Sequence, residues 1–245
     1  MRPPPRGIPW ARCASWLMGR LGADEFARQY TALRREEGWI GPDGREDPRT
    51  GDPALWRGRL GLVAAAAAVI GRERASRARR QVIADVGSGG AWLADYLPDA
   101  LVLSIDLLAS AAVKADMRRL PLTTSSVDAV IYVASLHYAE LHETIPEAAR
   151  VLVEGGLFIA LDSPVYPNEG SRTKAAERSA AYYKRRGYPE LATHYHPIDE
   201  GALRTALAAA ALGTEHFDVA RRRRGLWGRP PSSPASCFVI ARRLR

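Results

Sequence analysis

Cysteine is nearly missing: only Cys13 and Cys237 occur in 245 residues. That excludes a disulfide framework and a thiolate metal centre, and it suits a reducing compartment. Lysine is almost as scarce. Lys114, Lys174 and Lys184 are the only ones, so the 35 basic side chains are nearly all arginine. Against 27 acidic residues they give a formal net charge of +8. This balance suits a polyanionic partner, although heavy arginine and alanine use also follows from a GC-rich genome. No apolar run reaches bilayer length either. The longest, Leu60 to Ile70, is closed by Arg59 and Arg72, well short of the ~20 residues a span needs. The N-terminal apolar stretch is interrupted by Arg12 and Arg20 and no clear cleavage site follows, so a soluble cytoplasmic protein is expected. With 47% hydrophobic residues, collagen-like and wholly disordered chains are excluded.

What is present is a change of pattern along the chain. Residues 1–53 read as an N-terminal extension, with Pro3, Pro4 and Pro5 at its start and a Gly/Pro/Asp-rich stretch from Gly41 to Pro53. Between these, Asp24 to Glu37 is expected to be helical, with Phe26, Tyr30 and Leu33 at helical spacing. A second helix is expected from Pro53 to about Ala75, rich in alanine. From residue 82, short apolar runs alternate with helical stretches: Val82–Val86, Ala100–Ile105, Val127–Val133 and Leu157–Leu161. Unbroken runs of this length suit strands buried on both faces of a parallel sheet. Helices are expected over Trp92–Tyr96 and Glu140–Leu152, the latter stopped by Gly155-Gly156. Residues 163–197 are polar and aromatic and read as a cap. A helix over Ile198–Gly213, capped near Asp199, and a hairpin of His216–Arg221 with Cys237–Arg242 close the chain. The fold class is therefore α/β with an open sheet, and the main domain spans residues 54–245.

The most informative segment is Asp85-Val-Gly87-Ser88-Gly89-Gly90-Ala91-Trp92, where a buried strand enters a glycine turn. Glycines there let backbone approach a ligand closely. The dinucleotide fingerprint wants a small residue at the sixth position, where this chain has Trp92. Asp85 at the strand end would repel a pyrophosphate and suits an ammonium group. Both details disfavour a nicotinamide cofactor and favour an amino-acid-bearing nucleoside. Asp106 ends the second strand about 20 residues on, placed to accept from two ribose hydroxyls. Asp116 can accept from an adenine amine, and Met117 offers a thioether to a ring face.

In this order the motifs resemble class I S-adenosylmethionine-dependent methyltransferases of the ubiquinone/menaquinone-biosynthesis type. Val127-Asp128-Ala-Val-Ile and Glu147-Ala-Ala-Arg150-Val-Leu-Val-Glu-Gly155-Gly156 match further family elements, and the likeness covers residues 82–162. It implies a Rossmann-like sheet of order 3-2-1-4-5-7-6 with the seventh strand antiparallel, and S-adenosylmethionine as cofactor. It further implies that Asp85, Gly87 and Gly89 line the methionine moiety, Asp106 the ribose, Asp116 and Met117 the adenine, and Val133 and Ala134 the sulfonium, with Ser88 and Leu107 also at the cofactor. The chain departs from the pattern at Ala91, at Glu154, and in the short stretch from Asp106 to Asp116.

His137 and Tyr138 follow the fourth strand, where the family's chain passes the transferred methyl. His137 is a candidate general base, with a pocket-wall role as the alternative. Tyr138, Tyr166, Tyr183, His194 and Tyr195 are candidate acceptor contacts; His194 and His196 have no partners at metal-site spacing. Arg221–Arg224 and Arg242-Arg243-Leu244-Arg245 could meet phosphate or serve as a solvated hairpin edge. The expectation is methyl transfer to a small organic acceptor. An RNA methyltransferase and a catalytically silent binding module are the alternatives, and the lack of interleaved aromatics counts against RNA.

Overall fold

The computed structural model describes residues 10–42, 46, 51–74, 79–220 and 235–245. Helix α1 (Trp10–Glu36) and helix α2 (Pro53–Arg74) precede the sheet. The strands β1 (Val82–Val86), β2 (Leu101–Asp106), β3 (Val113–Lys114), β4 (Val127–Val133) and β5 (Leu152–Tyr166) follow. Helix α3 (Leu141–Val151) lies between β4 and β5. After β5 come α4 (Glu169–Arg185), β6 (Ile198–Asp199), α5 (Glu200–Ala209), β7 (Leu212–Ala220) and β8 (Ala235–Arg243).

The strands run in the order β3-β2-β1-β4-β5-β8-β7, with β6 beside the end of β5. β8 is antiparallel to both β5 and β7, while β1 through β5 pair in parallel. With the two-residue β6 set aside, this is the order that the sequence motifs implied. Strand alternation explains why both faces are covered. Ala84, Val86, Val130, Tyr132, Phe158, Ala160 and Val239 join one core with Ile145 and Ala148 of α3 and Leu203 and Leu207 of α5. Ile83, Ala129, Ile131, Ile159 and Ile240 join the opposite core with α2. On α2 the buried positions are Trp56, Arg59, Val63, Ala66 and Ile70, a 3-4-3-4 stripe facing inward. Among the described residues this is the one helix long and apolar enough to cross a membrane, with a mean hydropathy of 1.3, and in the fold its stripe packs on the sheet.

Several expectations shift. The α1 helix begins at Trp10 rather than Asp24. Residues 92–96 make a single 3-10 turn, entered through Ala91 in the left-handed region (φ 59°). Helix α3 ends at Val151, and the glycines expected to stop it lie inside β5, with Gly155 at φ 72°. Between Asp106 and Val113 no helix forms. The helix expected over Ile198–Gly213 is shorter, because Ile198 and Asp199 pair with β5 and Leu212 already belongs to β7. Asp199 does cap it, its carboxylate accepting from the Ala202 N–H at 2.8 Å.

Candidate functional site

A cavity of about 410 Å³ opens where the parallel strands end. Its wall contains Asp85, Gly87, Ser88, Gly89, Asp106, Leu107, Asp116, Met117, Val133 and Ala134, all ten positions singled out for cofactor binding. The topology explains the convergence: β1, β2 and β4 are neighbours, so their C-terminal ends share one rim.

The glycine turn is held tightly. The Gly87 N–H donates to the Ile105 carbonyl at 2.8 Å, and its φ of +71° suits glycine. A Cβ at Gly87 would lie 2.4 Å from the Cβ of Ser135, whose hydroxyl donates to the Val86 carbonyl at 2.6 Å. A Cβ at Gly90 would lie 1.8 Å from the carbonyl oxygen of Glu46. Trp92 packs edge-on to Trp56 of α2, with centroids 5.1 Å apart, which accounts for its bulk at this position.

Five carboxyls line the cavity: Glu46, Asp85, Asp106, Asp116 and Asp162. Asp85 is 2% exposed, and burial, then the neighbouring Asp106, pushes its pKa up to about 8. Asp106 accepts from the N–H groups of Gly89 (2.8 Å) and Leu108 (3.0 Å). Burial still leaves its pKa above the ordinary carboxylate range despite these bonds. Glu46 is also raised by burial, partly offset by Arg34 and Arg59. Asp116 behaves differently: burial alone would raise it, but the Arg118 guanidinium, donating at 2.6–3.1 Å, holds it below its usual value.

His137 is 6% exposed and lines the cavity. Burial first, then the charges of Arg34, Arg59 and His196, pull its pKa down to about 3. The ring is neutral at physiological pH and a weak base, which fits the pocket-wall reading better than the general-base one. Tyr138 and His194 also lie on the wall, but Tyr166, Tyr183 and Tyr195 do not. Tyr166 is buried at the end of β5, and Tyr183 packs with Phe26, Leu33 and Leu191. Tyr195 stands behind His137, with ring centroids 5.3 Å apart. These three back the wall rather than form it.

Sequence reasoning missed the contribution of the first helices. Phe26, Tyr30, Arg34, Trp39, Glu46 and Arg59 all line the cavity. Phe26, Tyr30 and Tyr138 form an aromatic cluster with centroids 5.6–5.9 Å apart, and Phe26 meets His194 at 4.7 Å. Arg34 donates to Glu37 at 2.9 Å and to the Tyr138 hydroxyl at 3.1 Å. Arg59 lies over the Trp56 ring and donates to Asp162 at 2.9 Å. The signal for Arg59 was its place in the inward stripe of α2, and for Arg34 its place one turn beyond Tyr30.

Arg242 and Arg243 are engaged by the fold, whereas Arg245 makes only a surface ion pair. Arg242 binds Glu73, Glu215 and the Gly155 carbonyl, Arg243 binds Ser125 and the Leu152 carbonyl, and Arg245 pairs with Glu154. The cluster Arg221–Arg224 lies outside the described residues.

A methyltransferase family described as "hypothetical methyltransferase" matches residues 65–164. No curated protein matches the chain. Among solved structures, a methyltransferase candidate from Bacillus halodurans superposes with a TM-score of 0.56 at 16% identity, covering 74% of this chain and 99% of that one. A geranyl diphosphate C-methyltransferase from Streptomyces coelicolor gives 0.53 at 15% identity, covering 74% and 76%. A Haloferax volcanii methyltransferase candidate, solved with the activator Trm112, gives 0.52 at 14%, covering 79% and 92%. The fold is the open α/β sheet that these methyltransferase structures share, and residues 65–164 match a methyltransferase family's model.

Proposed function

We propose that this protein transfers a methyl group from S-adenosylmethionine to a small organic acceptor. The observation that carries the reading is one cavity lined by a desolvated acid at the end of β1, a glycine turn and a second acid at the end of β2. The residues fit the cofactor. Asp85 is buried with no hydrogen bond among the described residues and is held largely protonated, a state an ammonium group would reverse. Ser88 contributes a buried hydroxyl that also lacks a partner among them. The missing Cβ of Gly87 lets Ser135 pack directly against the turn, which holds the backbone of Gly87 to Gly89 on the cavity wall.

Asp85 and the turn would hold the methionine moiety, Asp106 the ribose, and Leu107 and Met117 the two sides of the adenine. Asp116 would reach the adenine amine while keeping Arg118. When bound, the cofactor supplies an activated methyl on a good leaving group. The chain's own part is then to align the acceptor and to keep water out. Phe26, Tyr30 and Tyr138 supply a largely apolar wall for this. The engagement of Arg242 and Arg243 by carboxylate, hydroxyl and backbone partners of the fold supports a small acceptor over a polyanion.

Calorimetry tests the reading. The protein should bind S-adenosylhomocysteine, and Asp106→Ala should weaken binding at least about tenfold by removing a charged hydrogen-bond acceptor. No binding by the unmodified protein removes the proposal.

A further inference from the structure

His137 and Tyr138 are consecutive residues on the 3-10 turn Leu136–Tyr138 that follows β4, with ring centroids 4.3 Å apart. Both are on the cavity wall. The His137 Nδ1 is sealed from solvent and has no partner among the described residues, whereas Nε2 is not sealed. The ring therefore meets the cavity through its Nε2 edge. A neutral imidazole carries one proton. On Nδ1 that proton would be an orphaned, buried N–H, which folded proteins rarely tolerate, whereas an unmatched lone pair there is less costly. The proton belongs on Nε2, and the ring offers a donor to the cavity rather than a base.

Tyr138 completes the arrangement. Its hydroxyl oxygen accepts from Nη2 of Arg34 at 3.1 Å, so its own proton turns away from the guanidinium. Among the described residues nothing accepts that proton. A hydroxyl polarised by a guanidinium is also a stronger donor than a free one.

We propose that His137 and Tyr138 together form a two-donor site for an acceptor molecule bearing an anionic oxygen, attached to a flat ring that packs on Phe26 and Tyr30. The proposal rests on the methyl-transfer reading, since it describes how that reaction's acceptor is held. The charged groups around the pair agree with it. Arg34 and Arg59 face His137, and each already has a carboxylate partner, Glu37 and Asp162. They bias the potential towards an anion without being consumed by it. His196 donates its backbone N–H to the His137 carbonyl at 2.8 Å, fixing the turn, and its ring is held by Glu140 at 3.0 Å. Five carboxyls also line the cavity: burial raises Asp85, Asp106 and Glu46, while Asp116 and Asp162 are paired with Arg118 and Arg59, so they oppose an anion less than their number suggests. An acceptor that arrives ionised also removes the need for a strong general base.

Two measurements on the full chain test this. Nitrogen-15 NMR of the histidine rings near pH 7 should find His137 protonated at Nε2 only. A proton on Nδ1, or on both nitrogens, overturns the proposal. Separately, protein saturated with S-adenosylhomocysteine is titrated with 4-nitrophenol, which ionises near neutrality, and with benzoate. Bound nitrophenol should show its ionisation midpoint lowered by about one pH unit or more, as charge-assisted hydrogen bonds would produce. His137→Leu and Tyr138→Phe should each lose most of that shift, and His137→Gln, which keeps a donor near Nε2, should restore much of it. Nitrophenolate binding without benzoate assigns a phenolate or enolate oxygen, and the reverse assigns a carboxylate. Nitrophenol bound in its neutral form, or neither probe binding at millimolar concentration, overturns the proposal. Calorimetry on the same samples separates the failures. If S-adenosylhomocysteine binds and the probes fail, only the donor pair falls; if it does not bind, both readings fall.

Discussion

Asp85 gives the sharpest handle on the cofactor assignment, because its protonation in the unliganded protein should be visible in the binding thermodynamics. Its pKa is pushed up to about 8 by burial and by Asp106. A ligand ammonium group prefers the ionised carboxylate, so binding below pH 8 must first remove the proton. Each unit below the pKa costs ~1.4 kcal/mol, a factor of ten in affinity. S-adenosylhomocysteine should therefore bind roughly fiftyfold more weakly at pH 6 than at pH 8, where Asp85 is half ionised. Close to one proton should be released per ligand at pH 7, read by calorimetry in buffers of different ionisation enthalpy. Asp85→Asn should flatten the pH dependence and abolish most of the proton release. Asp106 and Glu46 are raised as well, so any slope that survives in Asp85→Asn is theirs.

The same shift predicts the stability of the unliganded protein. A carboxyl whose folded pKa lies above its unfolded value stabilises the fold relative to high pH, fully below the unfolded pKa, and loses this as pH rises through the folded one. The melting temperature without ligand should fall between pH 6 and 8, less so in Asp85→Asn, and saturating ligand should flatten the trend. Affinity that is flat from pH 6 to 8, or a slope unchanged in Asp85→Asn, would refute the reasoning.

Two substitutions test the frame around the site. Gly87→Ala places a methyl 2.4 Å from Ser135 Cβ at a φ of +71°, and should destabilise by about 2 kcal/mol or more in denaturant unfolding. Asp128 has a side chain only 1% exposed, and it accepts from both Arg79 Nη atoms and from the Val82 N–H that begins β1. Asp128→Ala should lower stability by roughly 2 kcal/mol, discounted because Arg79 is half-exposed and can rehydrate.

The strand-turn-strand core was legible because its signals are local. An apolar run, a glycine turn and an acid at a fixed distance each lie within a few residues, and parallel pairing then brings Asp85, Asp106 and Val133 together. The cap tyrosines were not legible. Tyr166, Tyr183 and Tyr195 have the composition of a binding surface, but which side of an aromatic residue faces a cavity depends on tertiary packing. Arg59 shows a different limit. As a charge it looked like the end of an apolar run, yet in the fold it sits inside the buried stripe of α2, its charge met by Asp162 from 103 residues away. Such long-range partners leave no local trace.

The N-terminal helices change where specificity should be sought. The turn after β1 is a single 3-10 turn, and no helix follows β2, so the sheet's own connections enclose little of the cavity. α1 and α2 supply the missing wall, with Phe26, Tyr30 and Arg34 from one and Leu55 and Arg59 from the other. α1 is also tied to both sides of the site, through Lys114 to Asp24 at 2.7 Å and through Glu36 and Glu37 to Tyr188, Arg186 and Tyr182. A wall built from a separate helix can vary its side chains without disturbing the strand ends that face the cofactor turn. Acceptor choice should therefore respond to changes on α1 more than cofactor binding does, the link between them being Leu107, which packs with the cluster of Phe26 and Leu33.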